Sequence, residues 1–187
     1  MGMLGKDFKY KIIKNFLTES EVELANKYFT MKHRSNIDKF DEAQMSSSTQ
    51  DSYWYGDPLA ESFLLCKMKK MEEETKLKLV PTYAFARVYT YLAVLDKHKD
   101  RPECEISVTV MVGSSGEKWP IFMDGKELNL EPGDAAIYLG CEVEHWREEF
   151  LGDWHSQFFL HYTNKDGPYK DRIADGRLFW GIEKPQF

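Results

Sequence analysis

The strongest constraint on the fold is a series of short strand-like segments after Pro81, each separated from the next by a turn. The candidate strands are rich in β-branched and aromatic residues or alternate apolar with polar ones, and they comprise residues 83–91, 105–112, 119–123, 128–130, 135–139 and 156–162. Gly or Pro stands in several connections, as in the hairpin turn Asp124-Gly125. Many short strands joined by such turns predict a sandwich or a barrel, and a jelly roll is one such solution.

Two helices are predicted ahead of these strands. Thr18 is followed three residues later by Glu21, a pattern that suits an N-terminal cap and the positive end of the helix dipole. A second helix is predicted from Pro58 to about Leu79, because Pro suits a first turn and apolar residues recur on one face. We expect both helices to pack on one outer face of the β structure.

The length of 187 residues suits one domain with a substantial core and is too short for two ordinary ones. We therefore expect a single domain over residues 1–187 that is mainly β with N-terminal helices. Its expected parts are a mostly helical support in 1–80, a jelly-roll core in 81–163 and a C-terminal extension in 164–187.

Composition excludes several classes of partner. A net charge of −6 argues against non-specific nucleic-acid binding, which needs clustered Lys and Arg. No segment approaches the roughly 20 apolar residues of a membrane span, so we expect no membrane partner. Cys66, Cys104 and Cys141 are odd in number and irregularly spaced, which fits neither a disulfide framework nor a zinc site. Free thiols of this kind suit a cytoplasmic protein.

A candidate metal site is formed by His98, Asp100 and His145. A single residue separates His98 from Asp100, so in an extended segment both side chains project to the same side. His145 follows just after the candidate strand 135–139 and supplies a third ligand. Two His and one carboxylate are the ligand set of non-heme iron(II) oxygenases, which leave positions open for a chelating co-substrate and dioxygen.

At this point the sequence resembles the 2-oxoglutarate/iron(II) oxygenases, in particular their prolyl 4-hydroxylase-like branch. The resemblance extends in order over roughly residues 82–163. The segments that carry it are 87–91, 95–100, 104–107, 119–121, 131–134, 144–147 and 157–162, together with Tyr138 and Gly140.

The resemblance implies a double-stranded β-helix, which is the jelly-roll core, with Fe(II) held by His98, Asp100 and His145 near one open end. It also implies 2-oxoglutarate as co-substrate and O2 as oxidant, with hydroxylation of a C–H bond coupled to decarboxylation to succinate. Related halogenases lack the carboxylate ligand, so the presence of Asp100 favours hydroxylation.

The resemblance further implies residues that bind the distal carboxylate of 2-oxoglutarate. Tyr89 and Thr109 match strand positions that often contact this carboxylate in relatives. Relatives usually place Arg or Lys about ten residues after the second His, whereas this chain has His155 there, with Gln157 two residues on. A protonated His155 could supply charged hydrogen bonds, Gln157 neutral ones, and Arg87 the missing charge from the strand face of Tyr89.

Candidate substrate contacts are Tyr91, Leu92, Met111, Arg147 and Phe158. Relatives often carry Gly in place of Leu92 and a polar residue in place of Met111. With Phe158, these two residues suggest a narrow, apolar pocket. Arg147 follows the second His by two and could pair with a carboxylate of substrate or co-substrate.

We expect a small molecule or a short peptide as substrate, with a proline-like substrate possible, because the small chain leaves little room for a separate recognition domain. Two alternatives stay open: a cupin-type isomerase or epimerase that uses its metal as a Lewis acid, and a non-catalytic jelly-roll binding module. The oligomeric state and the role of the C-terminal extension are open as well.

Overall fold

The computed structural model describes residues 8–39 and 49–182. These residues form β1 (Tyr10–Ile13), α1 (Glu19–Lys39), β2 (Ser52–Tyr55), α2 (Pro58–Thr75), β3 (Leu79–Thr90), β4 (Leu95–His98), β5 (Ile106–Ser114), β6 (Ile121–Met123), β7 (Lys126–Leu128), β8 (Ala135–Tyr138), β9 (His145–Arg147) and β10 (Trp154–Asn164). Short 3-10 turns lie at Pro102–Cys104 and Ile173–Gly176. The expected fold class, mainly β with N-terminal helices, is confirmed.

The strands form two antiparallel sheets. The larger sheet has the order β1-β8-β5-β10-β3-β2, and the smaller has the order β4-β9-β6-β7. The sheets face each other, because Ile121 and Met123 of β6 pack in one cluster with Ala136 and Tyr138 of β8. The space between the sheets therefore receives side chains from both.

The two helices cover the outer face of the larger sheet, as expected. The buried ring of Phe158 on β10 stacks on Phe63 of α2 at 5.1 Å between centroids and lies 6.3 Å from Phe29 of α1. Burial of each such side chain stabilises the fold by about 1.5–3 kcal/mol. No helix in residues 8–39 or 49–182 is long and apolar enough to cross a membrane.

Both helices begin at side-chain caps. The Thr18 backbone N–H donates to the Glu21 carboxylate at 2.8 Å, and the Glu21 N–H donates to the Thr18 hydroxyl at 3.3 Å. This reciprocal pair confirms the predicted cap. At the start of α2 the Asp57 carboxylate accepts from the N–H groups of Leu59 and Ala60.

Two features differ from the expected organisation. α2 ends at Thr75 rather than near Leu79, because Lys76 takes a left-handed conformation (φ 59°) and its N–H closes the last turn on the Glu72 carbonyl. β1 and β2 both lie in the region expected to be mostly helical support, where they form the two edges of the larger sheet. Residues 183–187 of the expected C-terminal extension lie outside the described residues.

Candidate metal centre and adjoining cavity

The three predicted ligands meet between β4 and β9. His98 ends β4, His145 begins β9, and the two are directly paired across the antiparallel strands. Asp100 follows β4 by two residues, and its Oδ1 lies 3.5 Å from His98 Nε2 and 3.6 Å from His145 Nε2. One ligand atom from each of the three residues lies within 4.8 Å of the other two, so the group could hold a metal ion.

The other nitrogen of each imidazole faces a backbone carbonyl. His98 Nδ1 lies 2.7 Å from the carbonyl oxygen of Asp96, and His145 Nδ1 lies 3.0 Å from that of Val143. Since a carbonyl oxygen only accepts, each Nδ1 carries the hydrogen. The lone pair of Nε2 is then available to a metal, which is the usual arrangement for a ligating histidine.

Asp100 is held by the backbone around it. Its N–H donates to the Gly140 carbonyl at 2.8 Å, and the Ser107 hydroxyl donates to its carboxylate at 3.3 Å. A Cβ at Gly140 would lie 2.5 Å from the Asp100 carboxylate and closer still to the Cys104 carbonyl. Gly140 is therefore required for the backbone to approach the metal ligands this closely.

The charges of the three groups suit a metal site. Burial opposes ionisation of Asp100, but the hydrogen bond with His98 and the nearby His161 and His145 hold its pKa below the usual value. Burial lowers the pKa of His145, so its ring is neutral near pH 7. The hydrogen bond to Asp100 raises the pKa of His98, so a metal would compete there with a proton.

A second group, formed by Asp100, Cys104 and His161, could also hold a metal. Burial raises the pKa of the Cys104 thiol, which keeps the thiol protonated, whereas metals bind the thiolate. His161 is fully buried with its Nδ1 2.8 Å from the Ser107 hydroxyl, and burial lowers its pKa to about 4. The first group is therefore the better metal site.

A cavity of about 220 Å³ adjoins the three ligands. Besides the ligands it is lined by Tyr83, Phe85, Arg87, Tyr89, Leu95, Tyr138, Phe159 and His161. Its walls are mostly aromatic, and Phe85 and Phe159 lie 6.2 Å apart between ring centroids on neighbouring strands.

Four of the residues predicted to bind co-substrate or substrate are placed close together between the sheets. The buried Arg147 guanidinium donates to the Gln157 side-chain oxygen at 2.9 Å, and the Thr109 hydroxyl donates to the same oxygen at 3.2 Å. Arg147 also donates to the Trp119 carbonyl and lies 4.6 Å over the Trp119 ring. The Tyr89 ring meets that indole edge-on at 4.8 Å between centroids.

Arg87 and His155 differ from the roles expected for them. Arg87 lines the cavity, but its Nε donates to the Asp51 carboxylate at 3.0 Å, so its charge already has a partner. The sequence offered no sign of Asp51, which precedes β2 and also accepts from the N–H and the hydroxyl of Thr90. His155 is 3% exposed, and burial lowers its pKa well below the usual value. Burial thus keeps His155 uncharged in this structure and disfavours the charged hydrogen bonds expected from a protonated ring.

Most of the predicted substrate residues lie away from the cavity. Tyr91 and Leu92 are exposed in the loop after β3, where Leu92 has a positive φ of 67°. Phe158 points to the helices on the other face of the sheet, because it neighbours the inward-facing Gln157 on the same strand. Met111 is buried beside a different surface depression. The apolar surface near the metal site therefore comes from other residues, such as Phe85 and Phe159.

No family model and no curated protein matches the sequence. Among solved structures, a prolyl-4-hydroxylase from Pseudomonas putida is 15% identical over 84% of this chain and 94% of its own, with a TM-score of 0.59. A viral collagen prolyl hydroxylase from Paramecium bursaria Chlorella virus-1, solved with 2-oxoglutarate, is 10% identical over 86% and 98% of the two chains, with a TM-score of 0.65. The α-ketoglutarate-dependent epimerase SnoN from nogalamycin biosynthesis is 10% identical over 95% and 89%, with a TM-score of 0.63. The resemblance is thus confirmed in three dimensions: the chain has the fold of the 2-oxoglutarate/iron(II) oxygenases, prolyl 4-hydroxylases among them.

Proposed function

We propose that this protein is an Fe(II)- and 2-oxoglutarate-dependent dioxygenase that hydroxylates an unactivated C–H bond. In this proposal the chain is a single domain, its two facing sheets are a double-stranded β-helix, and His98, Asp100 and His145 hold the iron. The observation that carries the proposal is the convergence of these three side chains, each with a ligand atom within 4.8 Å of the other two.

The iron, when bound with 2-oxoglutarate and O2, supplies the oxidation of the substrate while the co-substrate is converted to succinate. The residues of the chain orient the metal ligands and supply the charge of the site. The carbonyls of Asp96 and Val143 hold the hydrogen on Nδ1 of the two imidazoles, so that each Nε2 would be free to bind the iron. Asp100 contributes a negative charge that its surroundings keep ionised.

The cavity restricts what can approach the metal. Its volume of about 220 Å³ is below the roughly 300–1,000 Å³ of pockets that enclose a drug-sized ligand. Only the reacting part of a small molecule or short peptide would enter, and a proline-like ring is of suitable size. Phe85, Leu95 and Phe159 supply apolar surface for such a group. An apolar pocket is thus still proposed, although the residues first expected to form it lie elsewhere.

The proposal is tested by anaerobic titration of the metal-free protein with Fe(II) and 2-oxoglutarate, following the visible absorption band of the iron chelate. We expect the band in the wild-type protein and its loss in His98→Ala, Asp100→Ala and His145→Ala. His33→Ala is the matched control, since His33 lies on α1 and bonds to Ser52 away from the cavity. Aerobic incubation should then yield succinate only where the band forms. Iron binding without a band would refute the proposal.

A second candidate is a metal-dependent epimerase or isomerase. It is favoured by the lack of Arg or Lys at the usual position on β10. A Lewis-acid enzyme of this kind would need no 2-oxoglutarate and form no succinate. Oxygen from ¹⁸O2 would appear in the product of a hydroxylase and be absent from the product of an epimerase.

A further inference from the structure

Arg147 carries a buried charge that nothing in the described residues neutralises. Its side chain is 2% exposed, and its guanidinium donates hydrogen bonds to the neutral oxygens of Trp119 and Gln157. No ion pair joins it to a carboxylate in residues 8–39 or 49–182. Burial of an unpaired ion is expensive unless a counter-charge is supplied.

Unpartnered polar atoms surround this charge. Arg147 Nε, Gln157 Nε2 and both ring nitrogens of His155 are buried and have no hydrogen-bond partner. His155 lies close enough to Arg147 for the guanidinium charge to lower its pKa further, after the larger effect of burial. Buried polar groups are normally paired, and neutral His155 contributes one donor and one acceptor nitrogen. The unused donors of Arg147, Gln157 and His155 therefore outnumber the one unused acceptor, which indicates that a further acceptor is missing.

We propose that Arg147, Gln157 and His155 form a buried carboxylate-binding site, which we call the Arg147 cradle, for the second carboxylate of a dicarboxylate co-substrate. The inference rests on the proposed function, in which that co-substrate is 2-oxoglutarate. The positive charge then comes from β9, two residues after the metal ligand His145, and not from the closing strand β10.

The cradle and the metal site are connected through β9 and Tyr89. Alternate residues of a strand share a face, so His145 and Arg147 project to the same side of the smaller sheet. Tyr89 lines the cavity at the metal site and also packs against Trp119, over which the guanidinium lies. One extended ligand could therefore reach both the metal and Arg147.

The guanidinium is held in place before any ligand arrives. The Trp119 carbonyl and the Gln157 side-chain oxygen occupy two of its donors, which fixes the plane of the group. Nε and the remaining N–H groups are left to form the paired bonds that a carboxylate accepts from Arg. Pre-organisation of this kind reduces the entropy lost on binding.

The two other residues considered for this role are less suitable. Asp51 already neutralises Arg87, and in addition Asp51 is anchored by two bonds from Thr90. His155 is held uncharged by its surroundings, so it can contribute a hydrogen bond but no charge. Arg147 is therefore the one of the three that offers a buried, unpaired positive charge.

The test compares 2-oxoglutarate with pyruvate, which chelates iron through the same keto-acid group but lacks the second carboxylate. Both are titrated anaerobically into Fe(II)-loaded wild-type protein, Arg147→Met, Arg147→Lys, Arg87→Met and the exposed control Arg34→Met. In the wild-type protein we expect 2-oxoglutarate to bind about 100-fold more tightly than pyruvate. Arg147→Met should abolish this preference and leave pyruvate binding unchanged, while Arg34→Met keeps it.

The outcomes separate the cradle from the proposed function. If Arg147→Met keeps the preference within about threefold, or if Arg87→Met alone loses it, the cradle is refuted and the oxygenase proposal stands. If wild-type protein forms no chelate with 2-oxoglutarate, the proposed function fails, and binding of glutarate is then measured by calorimetry. Glutarate binding that Arg147→Met abolishes would support the cradle on its own, whereas no glutarate binding would refute it. Thermal unfolding of each variant identifies any that fails to fold. If Arg147→Met does not fold, the preference for 2-oxoglutarate over pyruvate is judged from Arg147→Lys, which retains the charge.

Discussion

Two buried arginines of this protein differ in whether a carboxylate neutralises their charge. Arg177, in the C-terminal segment, pairs with Glu61 of α2, and both side chains are 1% exposed. Its other donors reach the carbonyls of Ala174 and Ile182, and Glu61 also accepts from the Gly181 N–H. The charge and the hydrogen bonds of this region are satisfied within the chain.

The Arg147 cradle has the same residue type and the same depth of burial but no carboxylate. A compensated pair such as Arg177–Glu61 fixes the C-terminal segment against α2 and requires no further partner. An uncompensated cation fixed between neutral groups is suited to accept an anion from outside. The presence or absence of a partner carboxylate, and not burial alone, therefore separates a structural charge from a binding charge.

The largest effect is expected when Arg177 is made to resemble Arg147. Glu61→Ala leaves Arg177 buried without a partner and frees the Gly181 N–H, so the free energy of unfolding should fall by about 3–5 kcal/mol. Urea unfolding measures the change. The control is Glu73→Ala, which removes the exposed pair with Lys69 and should change stability by less than about 0.5 kcal/mol. A loss below about 1 kcal/mol in Glu61→Ala would show that Arg177 finds other compensation.

The strands also differ in how far they could be predicted from the sequence. β3, β5 and β10 have 12, 9 and 11 residues, long enough for their composition and alternation to predict strands. β1, β2, β4 and β9 have three or four residues each and were not predicted. β6, β7 and β8 are equally short and strands were predicted at or next to them, so length alone does not explain the difference. The pairing of β1, β2, β4 and β9 depends on strands distant in sequence, which local patterns do not show.

For the site, His98 and Asp100 were predictable because their spacing places two ligands on one side of an extended segment. The state of Arg147 and Arg87 was not, because it depends on whether a carboxylate lies nearby in space, and Asp51 is 36 residues from Arg87. The position of Phe158 could have been inferred. Gln157 and Phe158 are neighbours on one strand, so only one of them can face the space between the sheets.

A smaller effect is expected when the cradle is given its own carboxylate. In Gln157→Glu the new side chain accepts the Arg147 bond as the amide oxygen does, and it adds a negative charge. We expect the ligand-free protein to gain about 1–2 kcal/mol of stability, since the buried cation is then paired. Affinity for 2-oxoglutarate should fall about 100-fold, because the internal carboxylate takes the place of the external one.

Urea unfolding and the anaerobic iron titration measure these two quantities on the same samples. Gln157→Leu serves as the comparison, since it removes the amide without adding a charge. If Gln157→Glu binds 2-oxoglutarate as the wild-type protein does, the carboxylate of the co-substrate is held elsewhere than at Arg147. A loss of affinity in both variants with a gain of stability in neither would indicate that Gln157 acts by its amide alone.

The smallest effect is expected at Phe158, which is next to Gln157 in sequence but on the opposite face of β10. Phe158→Leu should lower stability by about 1–1.5 kcal/mol, since a smaller side chain packs less well against Phe63 and Phe29. It should leave 2-oxoglutarate affinity and the preference over pyruvate unchanged, because Phe158 has no contact with the space between the sheets. The same unfolding and titration experiments apply. A change of affinity without a loss of stability would show that Phe158 contributes to the pocket. The assignment of Phe158 and Gln157 to opposite faces of β10 would then be wrong.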